Sequence, residues 1–298
     1  MTNDKNIVKI DDKDLQSLEK IMKRFVKILV NALAVVMLGV CCFSFTACED
    51  IKKMEITTMV YSQDENKIIE RTLSVDLYRH LAPKTVDSVI EAAKKGYYDN
   101  AFFYTTINHS SQIMIGDFKF VNGEVVQNNV QMPTIKGEFD RNGVVGSNLT
   151  SKRGSIGLWR SWYASGGYTT TNACNTGSAS WYIPTANITG YTGYFAVFGQ
   201  YDIEDENNAK LITDISVLSN DVDTFKEYVI YYTGEYQETG VNNGLTFHSV
   251  AAEDFDADAI TDLFTAEGDQ LVRYNAHTIK VPFVKDQIAA RITKVTIK

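Results

Sequence analysis

Cysteine and histidine are scarce, and their scarcity excludes several kinds of site. The chain of 298 residues has four cysteines, of which Cys41, Cys42 and Cys48 lie in one apolar N-terminal segment. Cys174 stands alone in the rest of the chain, which excludes a disulfide framework and a cysteine-based metal site. The four histidines are scattered without metal-ligand spacing. The sequence therefore predicts no metal ion and no cofactor.

Positive charge is also in short supply. The chain has 29 Lys and Arg against 37 Asp and Glu, which gives a net charge of -8. No stripe of basic residues is present, so we expect no nucleic-acid partner. Hydrophobic residues make up 44% of the chain and charged residues 22%, a composition typical of globular proteins and not of disordered ones.

The N-terminus has the layout of a secretory signal. A basic stretch over 23–27 precedes an apolar run over 28–45, and small residues follow before Cys48. This order of basic, apolar and small residues predicts a signal peptide over 1–47. Its true extent is predicted as 22–47, because the polar residues before it fit no part of a signal.

Cys48 follows Phe45-Thr46-Ala47, which resembles the lipobox of bacterial lipoproteins. In that family the cysteine is acylated and becomes the first mature residue. The resemblance implies lipidation at Cys48, a lipidated tether over 48–55 and a location outside the cytoplasm on the bacterial cell membrane. The alternative is a transmembrane anchor, although the apolar run is at the short end for a span. Both interpretations tether an extracytoplasmic domain to the membrane.

Apolar periodicity predicts the first elements of this domain. The segments 56–61 and 72–78 are β-branched and apolar in the manner of strands, and the polar stretch 63–66 between them is a predicted turn. Pro83 then favours the start of a helix, predicted over 84–95.

Three further elements follow from local signals. Asn122-Gly123 predicts a hairpin between 118–121 and 124–126. Apolar residues at helical spacing predict a helix over 222–232. Ile, Val and Thr over 290–297 predict the last strand.

Short strands separated by glycines dominate the stretch 134–199. Together with the segments before it, this stretch resembles the core of a bacterial cyclophilin, the peptidyl-prolyl cis-trans isomerase family. The resemblance depends on motifs that occur in the family's order, which are Leu77-Tyr78, Ala82-Pro83-Lys84-Thr85-Val86, Gly96-Tyr97-Tyr98-Asp99, Gly137-Glu138-Phe139, Arg153-Gly154, the stretch 175–183 and the stretch 193–199.

The resemblance implies a mainly β fold. We expect a cyclophilin-like closed antiparallel β-barrel of about eight strands with two or three flanking helices. The domain is predicted over 56–298, with an insertion at about 219–288 that minimal cyclophilins lack. Within it, an acidic helix start is predicted at 254–258; the aspartate spacing resembles an EF-hand loop but lacks its glycine and terminal glutamate. A solute-binding lipoprotein would instead need two α/β lobes, which the all-β pattern of 134–199 opposes.

The positions that the resemblance implies to be catalytic are substituted. Read forward from the Gly-Tyr-Tyr-Asp motif, the family's catalytic arginine falls on Thr105; read back from the later Gly-Asp pair, it falls on Thr106. The backward reading places Met114 at a glutamine and Ser111 at a pocket phenylalanine. Ser180 stands at a second glutamine.

A peptide-binding pocket is implied by the same resemblance. Its predicted residues are Phe103, Ser111, Leu158, Trp159, Tyr182, Tyr191 and Phe195. Trp159 replaces a small alanine, so it either fills part of the proline pocket or packs under the inserted loop. Aromatic walls suit proline rings and are equally typical of a barrel core, so both a surviving groove and a plain core remain open.

Two hypotheses for function follow. By resemblance, the chain is a monomeric, membrane-anchored peptidyl-prolyl cis-trans isomerase or foldase that acts on proline-containing peptides or exported proteins. The alternative is a catalytically inactive cyclophilin-like domain that binds extended peptide or a protein partner, because a threonine cannot supply a charge-assisted donor at the reach of an arginine. The two differ in whether another arginine, Arg160 or Arg141, reaches the pocket.

Overall fold

A computed structural model describes residues 51–106, 111–144, 149–160, 174–221, 223–234, 245–256 and 277–298. The chain divides into two compact units, Met1–Asp50 and Ile51–Lys298, and the described residues belong to the second. The predicted signal peptide over 1–47 and the lipidation site Cys48 lie outside the described residues.

The described part of the chain is mainly β. Its two α-helices are α1 (Pro83–Lys94) and α2 (Glu206–Leu218). Its strands are β1 (Ile51–Ser62), β2 (Lys67–Tyr78), β3 (Thr105–Thr106), β4 (Gln112–Ile115), β5 (Phe118–Val121), β6 (Glu124–Gln127), β7 (Ser155–Leu158), β8 (Trp181–Pro184), β9 (Val197–Gln200), β10 (Phe225–Gly234), β11 (Leu245–Ala251), β12 (His277–Val284), β13 (Gln287–Ile288) and β14 (Ala290–Ile297).

The main sheet has seven strands in the order β14-β1-β2-β9-β7-β8-β4, and all its pairs are antiparallel. Strand β1 pairs with β2 along its whole length. On its other side it pairs with β14 over Met54–Val60. The alternation predicted for β2 is confirmed, since Leu73, Val75 and Leu77 are fully buried. These side chains face the barrel core because successive residues of a strand point to opposite faces.

The ends of the main sheet are β14 and β4, so these named strands do not by themselves show the closed barrel that was predicted. The segment between α1 and β3 makes isolated backbone bridges to both ends. Phe102 bridges Arg291 of β14, and Tyr104 bridges Met114 of β4.

A second sheet is built from the region predicted as an insertion. Its order is β11-β10-β12-β13, and β12 pairs in addition with β3. The helix predicted over 222–232 is wrong, because residues from Phe225 onward form β10. The sequence of β10 is rich in aromatic and β-branched residues, and pairing with β11 and β12 decides its conformation against the helical spacing.

The structure confirms some of the other predicted elements and changes the bounds of others. The hairpin around Asn122-Gly123 and the last strand over 290–297 are confirmed. The predicted tether over 48–55 is too long, because β1 begins at Ile51. The acidic helix start predicted at 254–258 overlaps a 3-10 turn over Ala252–Asp254, and the residues after 256 lie outside the described ranges. Among the residues that the structure describes, neither helix has the length and apolarity needed to cross a membrane.

Glu138 caps helix α1 from a distant loop. The residue before the helix, Ala82, has no side-chain oxygen, and Pro83 occupies the first turn. The buried Glu138 carboxylate accepts hydrogen bonds from the backbone N–H of Lys84 at 3.0 Å and of Thr85 at 2.8 Å, and from the Thr85 hydroxyl at 2.9 Å. A carboxylate at a helix N-terminus satisfies orphan N–H groups and suits the helix dipole.

We predict that Glu138→Ala lowers the free energy of unfolding by about 3 kcal/mol, because it leaves several buried donors without their charged acceptor. Urea denaturation of the full chain, followed by tryptophan fluorescence, measures the change. The control is Glu91→Ala on the same helix, where an exposed ion pair with Lys95 is worth under about 1 kcal/mol. Equal effects of the two substitutions would contradict the capping role.

Candidate functional site

Both candidate positions for the catalytic arginine lie in a short strand at the edge of the second sheet. Thr105 and Thr106 form β3, and they pair with Lys280 and Ile279 of β12. Thr105 is buried, and Thr106 is half-buried. The forward and the backward reading of the motifs therefore both place the family's arginine in β3, a short strand whose edge is occupied by β12.

Met114 lies next to this strand on β4. Its backbone N–H donates to the Tyr104 carbonyl at 2.7 Å, and the Tyr104 N–H donates to the Met114 carbonyl at 3.1 Å. The Met114 side chain is 1% exposed. Its sulfur accepts a hydrogen bond from the Gln112 side-chain amide at 3.3 Å. The position that the family resemblance assigns to a glutamine is thus an apolar, enclosed one.

We call the apolar group around Met114 the aromatic cluster. Its buried members are Phe102, Tyr104, Met114, Phe118, Val125, Tyr182, Tyr191, Phe195, Ile230, Ile279, Val281 and Ile288. Ile230 belongs to β10, and Ile279 and Val281 belong to β12; all three are fully buried. The second sheet therefore contributes part of the same packed group as the predicted pocket residues.

Four of the seven predicted pocket residues meet in this cluster. Trp159 stacks on Phe195 with ring centroids 5.6 Å apart and an interplanar angle of 19°. Tyr191 also stacks on Phe195, at 4.4 Å, and Tyr182 meets Phe195 edge-on at 5.6 Å. Tyr182 and Phe195 have at most 1% of their surface exposed. A tryptophan in place of a small residue is packed into the pocket region here.

The other three predicted pocket residues lie elsewhere. Phe103 and Leu158 are buried in the barrel core, not in the aromatic cluster. Phe103 points away from its neighbours Phe102 and Tyr104 because side chains alternate along an extended chain. Ser111 is exposed at the turn before β4.

Tyr182 is held in place by a close backbone approach and a hydrogen bond. A Cβ atom on Gly157 would lie 2.4 Å from the Tyr182 ring, so only glycine lets the ring cross β7 at this point. The Tyr182 and Ser151 hydroxyls are 2.6 Å apart. Burial raises the pKa of Tyr182, so this hydroxyl stays neutral and holds its ring against the cluster.

Of the two arginines considered as replacements, Arg160 contacts the cluster. Its guanidinium carbon lies 4.8 Å from the Phe195 ring centroid and 5.3 Å from that of Phe139. Its Nε donates to the Tyr194 carbonyl at 2.9 Å. Burial lowers the pKa of Arg160. Arg141 lies at the edge of the cluster, 5.5 Å from the Tyr194 ring.

Ser180, the third predicted catalytic position, takes part in a polar network instead. Its hydroxyl donates to one carboxylate oxygen of Asp117 at 2.5 Å, and the Tyr104 hydroxyl donates to the other at 2.7 Å. The Tyr97 and Ser180 hydroxyls are 2.9 Å apart. The serine proton is directed at Asp117, so Tyr97 donates to Ser180.

Burial raises the pKa of Asp117, and the hydrogen bonds from Ser180 and Tyr104 partly oppose this shift. Sequence reasoning missed Asp117 and Tyr97 as partners of Ser180. Asp117 belongs to a Gly-Asp pair and Tyr97 to a Gly-Tyr-Tyr-Asp stretch, and both motifs indicate turns. Their contact with Ser180 joins residues far apart in the chain, which no local motif specifies.

In the described ranges, no group of three or more His, Cys, Asp or Glu side chains is placed to hold a metal ion.

Comparison with known proteins identifies the family. The sequence model of the cyclophilin type peptidyl-prolyl cis-trans isomerase/CLD family matches residues 63–234, more than half of the chain. The chain therefore belongs to the cyclophilin-type peptidyl-prolyl cis-trans isomerase family. No curated protein matches the chain significantly.

Two similar solved structures are both of a cyclophilin type peptidyl-prolyl cis-trans isomerase from Cryptosporidium parvum. One shares 16% sequence identity over 55% of this chain and 83% of that chain, with a TM-score of 0.37. The other, in the presence of the dipeptide Ala-Pro, shares 16% identity over 53% of this chain and 84% of that chain, with a TM-score of 0.35.

We predict that the contribution of Asp117 to the free energy of unfolding falls as pH rises above about 4, because folded Asp117 binds its proton more tightly than the ordinary carboxyl pKa of ~3.9 in the unfolded chain allows. Asp117→Asn mimics the protonated acid and removes this part of the pH dependence. Urea unfolding of both forms between pH 4 and 7 measures the effect.

The free energy of unfolding of Asp117→Asn, relative to that of wild type, should increase as pH rises. Asp64→Asn, the same substitution at an exposed turn, is the control. A profile unaffected by Asp117→Asn would contradict a raised pKa at Asp117.

Proposed function

We propose that this chain is a lipid-anchored, extracytoplasmic member of the cyclophilin family that no longer isomerises prolyl bonds and works as a binding domain for an extended peptide or a protein partner. The observation that carries this proposal is the pairing of Thr105 and Thr106 with β12. The position that the resemblance assigns to the catalytic arginine holds a neutral side chain, and its backbone edge is occupied by the chain's own strand β12.

The chemistry of the reaction explains why this matters. Rotation about a peptide bond meets a barrier of ~18–20 kcal/mol, set by amide resonance. The family resemblance implies that a guanidinium hydrogen-bonds the prolyl nitrogen of the twisted amide, which stabilises the transition state more than the ground state. A threonine hydroxyl is short and uncharged, so Thr105 cannot replace that charge-assisted donor.

Arg160 supports a second candidate function, a surviving isomerase with a relocated arginine. Its guanidinium lies against Phe195 in the same cluster as Trp159 and Tyr182. We favour the inactive form because Arg160 is 3% exposed, with its Nε donated to a backbone carbonyl. An arginine so placed stabilises the aromatic packing and is withdrawn from a peptide arriving from solvent.

We also infer that the barrel closes through the segment before β3. The Phe103 N–H donates to the Ala290 carbonyl at 3.1 Å, and the Ile292 N–H donates to the Ala101 carbonyl at 2.8 Å. These bonds join the segment to β14, while Tyr104 is bridged to β4. With this segment as the eighth member, every strand of the main sheet has two neighbours, the arrangement of a closed barrel.

A prolyl-isomerisation assay with an Ala-Pro peptide tests the loss of activity. We expect the full chain in detergent to give no rate above the uncatalysed one, since the arginine is absent and β12 pairs with the strand that holds its position. The double variant Thr105→Arg with Met114→Gln should also stay inactive, because β12 still occupies the edge of β3 at Thr105 and Met114 is buried.

Wild-type activity within about tenfold of an ordinary cyclophilin would contradict this proposal. Arg160→Lys then separates the two candidate functions, because a lysine keeps the charge but loses the planar fork of donors. Activity abolished by this variant would identify Arg160 as the relocated catalytic group.

We predict that Cys48→Ser abolishes acylation, because the thiol is the group that would receive the lipid. Metabolic labelling of the full chain with an alkyne fatty acid in a bacterial host, followed by membrane fractionation, measures this. Cys174→Ser, at the buried cysteine of the domain, is the control and should keep the label. A label that persists in Cys48→Ser would contradict lipidation at Cys48, and a label-free wild type that stays in the membrane would support the transmembrane anchor instead.

A further inference from the structure

Strand β12 pairs with β10 and with β3 over unequal lengths. It pairs with β10 along Phe225–Ile230, six residues opposite His277–Pro282. It pairs with β3 at Thr105 and Thr106, two residues. The second sheet is therefore held together by a long ladder, whereas its ladder to β3 is short.

The two faces of β12 differ in chemistry. Ile279 and Val281 are fully buried in the aromatic cluster. Lys280 lies on the other face, where its Nζ is 4.3 Å from the Phe225 ring centroid and 3.9 Å from a Glu227 carboxylate oxygen. Because side chains alternate along a strand, Pro282 shares the face of Lys280. Strand β12 therefore presents Ile279, Val281 and the partly buried Phe283 to the cluster, and the proline lies on the other face.

The surface that β12 occupies, the edge of β3 and the adjacent aromatic cluster, combines two features of a strand-binding site. The edge of β3 offers backbone hydrogen bonds at Thr105 and Thr106. Beside it, Tyr104, Met114 and Phe118 give an apolar floor. An added strand uses main-chain hydrogen bonds for affinity and alternate side chains in pockets for specificity, and this surface supplies both.

We propose that β12 is the chain's own occupant of an extended-peptide site on the barrel, and that detaching β12 opens this site to a peptide strand carrying β-branched apolar residues two positions apart. This inference rests on the proposed function and names the ligand class of the binding domain. The match required is the Ile-x-Val pattern of 279–281, so the site selects for strand-forming apolar sequence and not for an X-Pro bond.

A labelled peptide with the sequence of 277–284 tests the site in trans. In the full chain, Ile279→Ser with Val281→Ser removes the side chains that hold β12 on the cluster. Fluorescence anisotropy should show this opened variant binding the peptide at least tenfold more tightly than wild type. A peptide with the same two serines should not bind either form.

A matched control changes the other face of the same strand. Thr278→Ser with Lys280→Ser leaves Ile279 and Val281 in place, and we expect it to bind the peptide no more tightly than wild type. Equal gains from both double variants would overturn the proposal, because binding would then reflect general loosening of β12.

A disulfide lock tests the site without weakening the fold. Thr105 and Lys280 are directly opposed across an antiparallel pair, a spacing that suits a disulfide. In Thr105→Cys with Lys280→Cys, oxidation should abolish peptide binding, and reduction should restore it to at least the wild-type level.

Two outcomes would overturn the proposal. One is an opened variant whose β1 and β2 amides remain protected from hydrogen exchange but which fails to bind the peptide. If the opened variant unfolds, the lock variant decides instead. Equal peptide binding by its oxidised and reduced forms would then overturn the proposal. The isomerase rate, measured separately on wild type, tests only the proposed loss of activity. Failure of the β12 proposal can therefore be distinguished from failure of the proposed function.

Discussion

The pairing of β1 on both of its edges is the constraint on which the rest of the structure depends. Strand β1 runs antiparallel to β2 and to β14, so the start of the domain and the end of the chain are fixed side by side. Met54, Ile56 and Val60 of β1 are fully buried and form part of the barrel core. The chain between β2 and β14 must therefore return to the second edge of β1.

This constraint decides where the second sheet lies. The chain leaves the barrel after α2 and must return to β14, whose neighbour is β1. The strands between these points are rich in apolar and aromatic residues, and they bury Ile230, Ile279 and Val281 against Tyr104 and Met114. Each such side chain contributes roughly 1.5–3 kcal/mol when fully buried, so covering this face of the barrel stabilises the fold. The same packing removes these side chains from solvent.

The polar and cationic groups of the site follow the same logic. Asp117 holds the hydroxyls of Ser180 and Tyr104 within a largely apolar environment, and Arg160 lies between aromatic rings with its Nε on a backbone carbonyl. Buried polar groups of this kind are costly unless they are hydrogen-bonded, and these are bonded within the domain. These side chains therefore stabilise the packing of the domain.

Much of the barrel could be predicted from the sequence, because its signals are local or conform to a known order. Pro83, the Asn122-Gly123 turn and the alternation of β2 each specify their own element. The helix predicted over 222–232 failed because the residues of β10 have both helical and strand spacing, and only pairing with β11 and β12 decides between them. Of the residues predicted to line a pocket, Tyr182, Tyr191 and Phe195 lie together in the aromatic cluster, whereas Phe103 lies in the other core cluster.

By itself, the sequence determined the family framework and the absence of an arginine at Thr105 and Thr106, since both depend on residue identity in a fixed order. Only the tertiary structure decided that Lys280 and Ile279 lie beside those threonines, and that Ser180 meets Asp117. The physical reason is distance along the chain. Contacts between residues so far apart are set by the burial of whole strands, which no local pattern of side chains specifies.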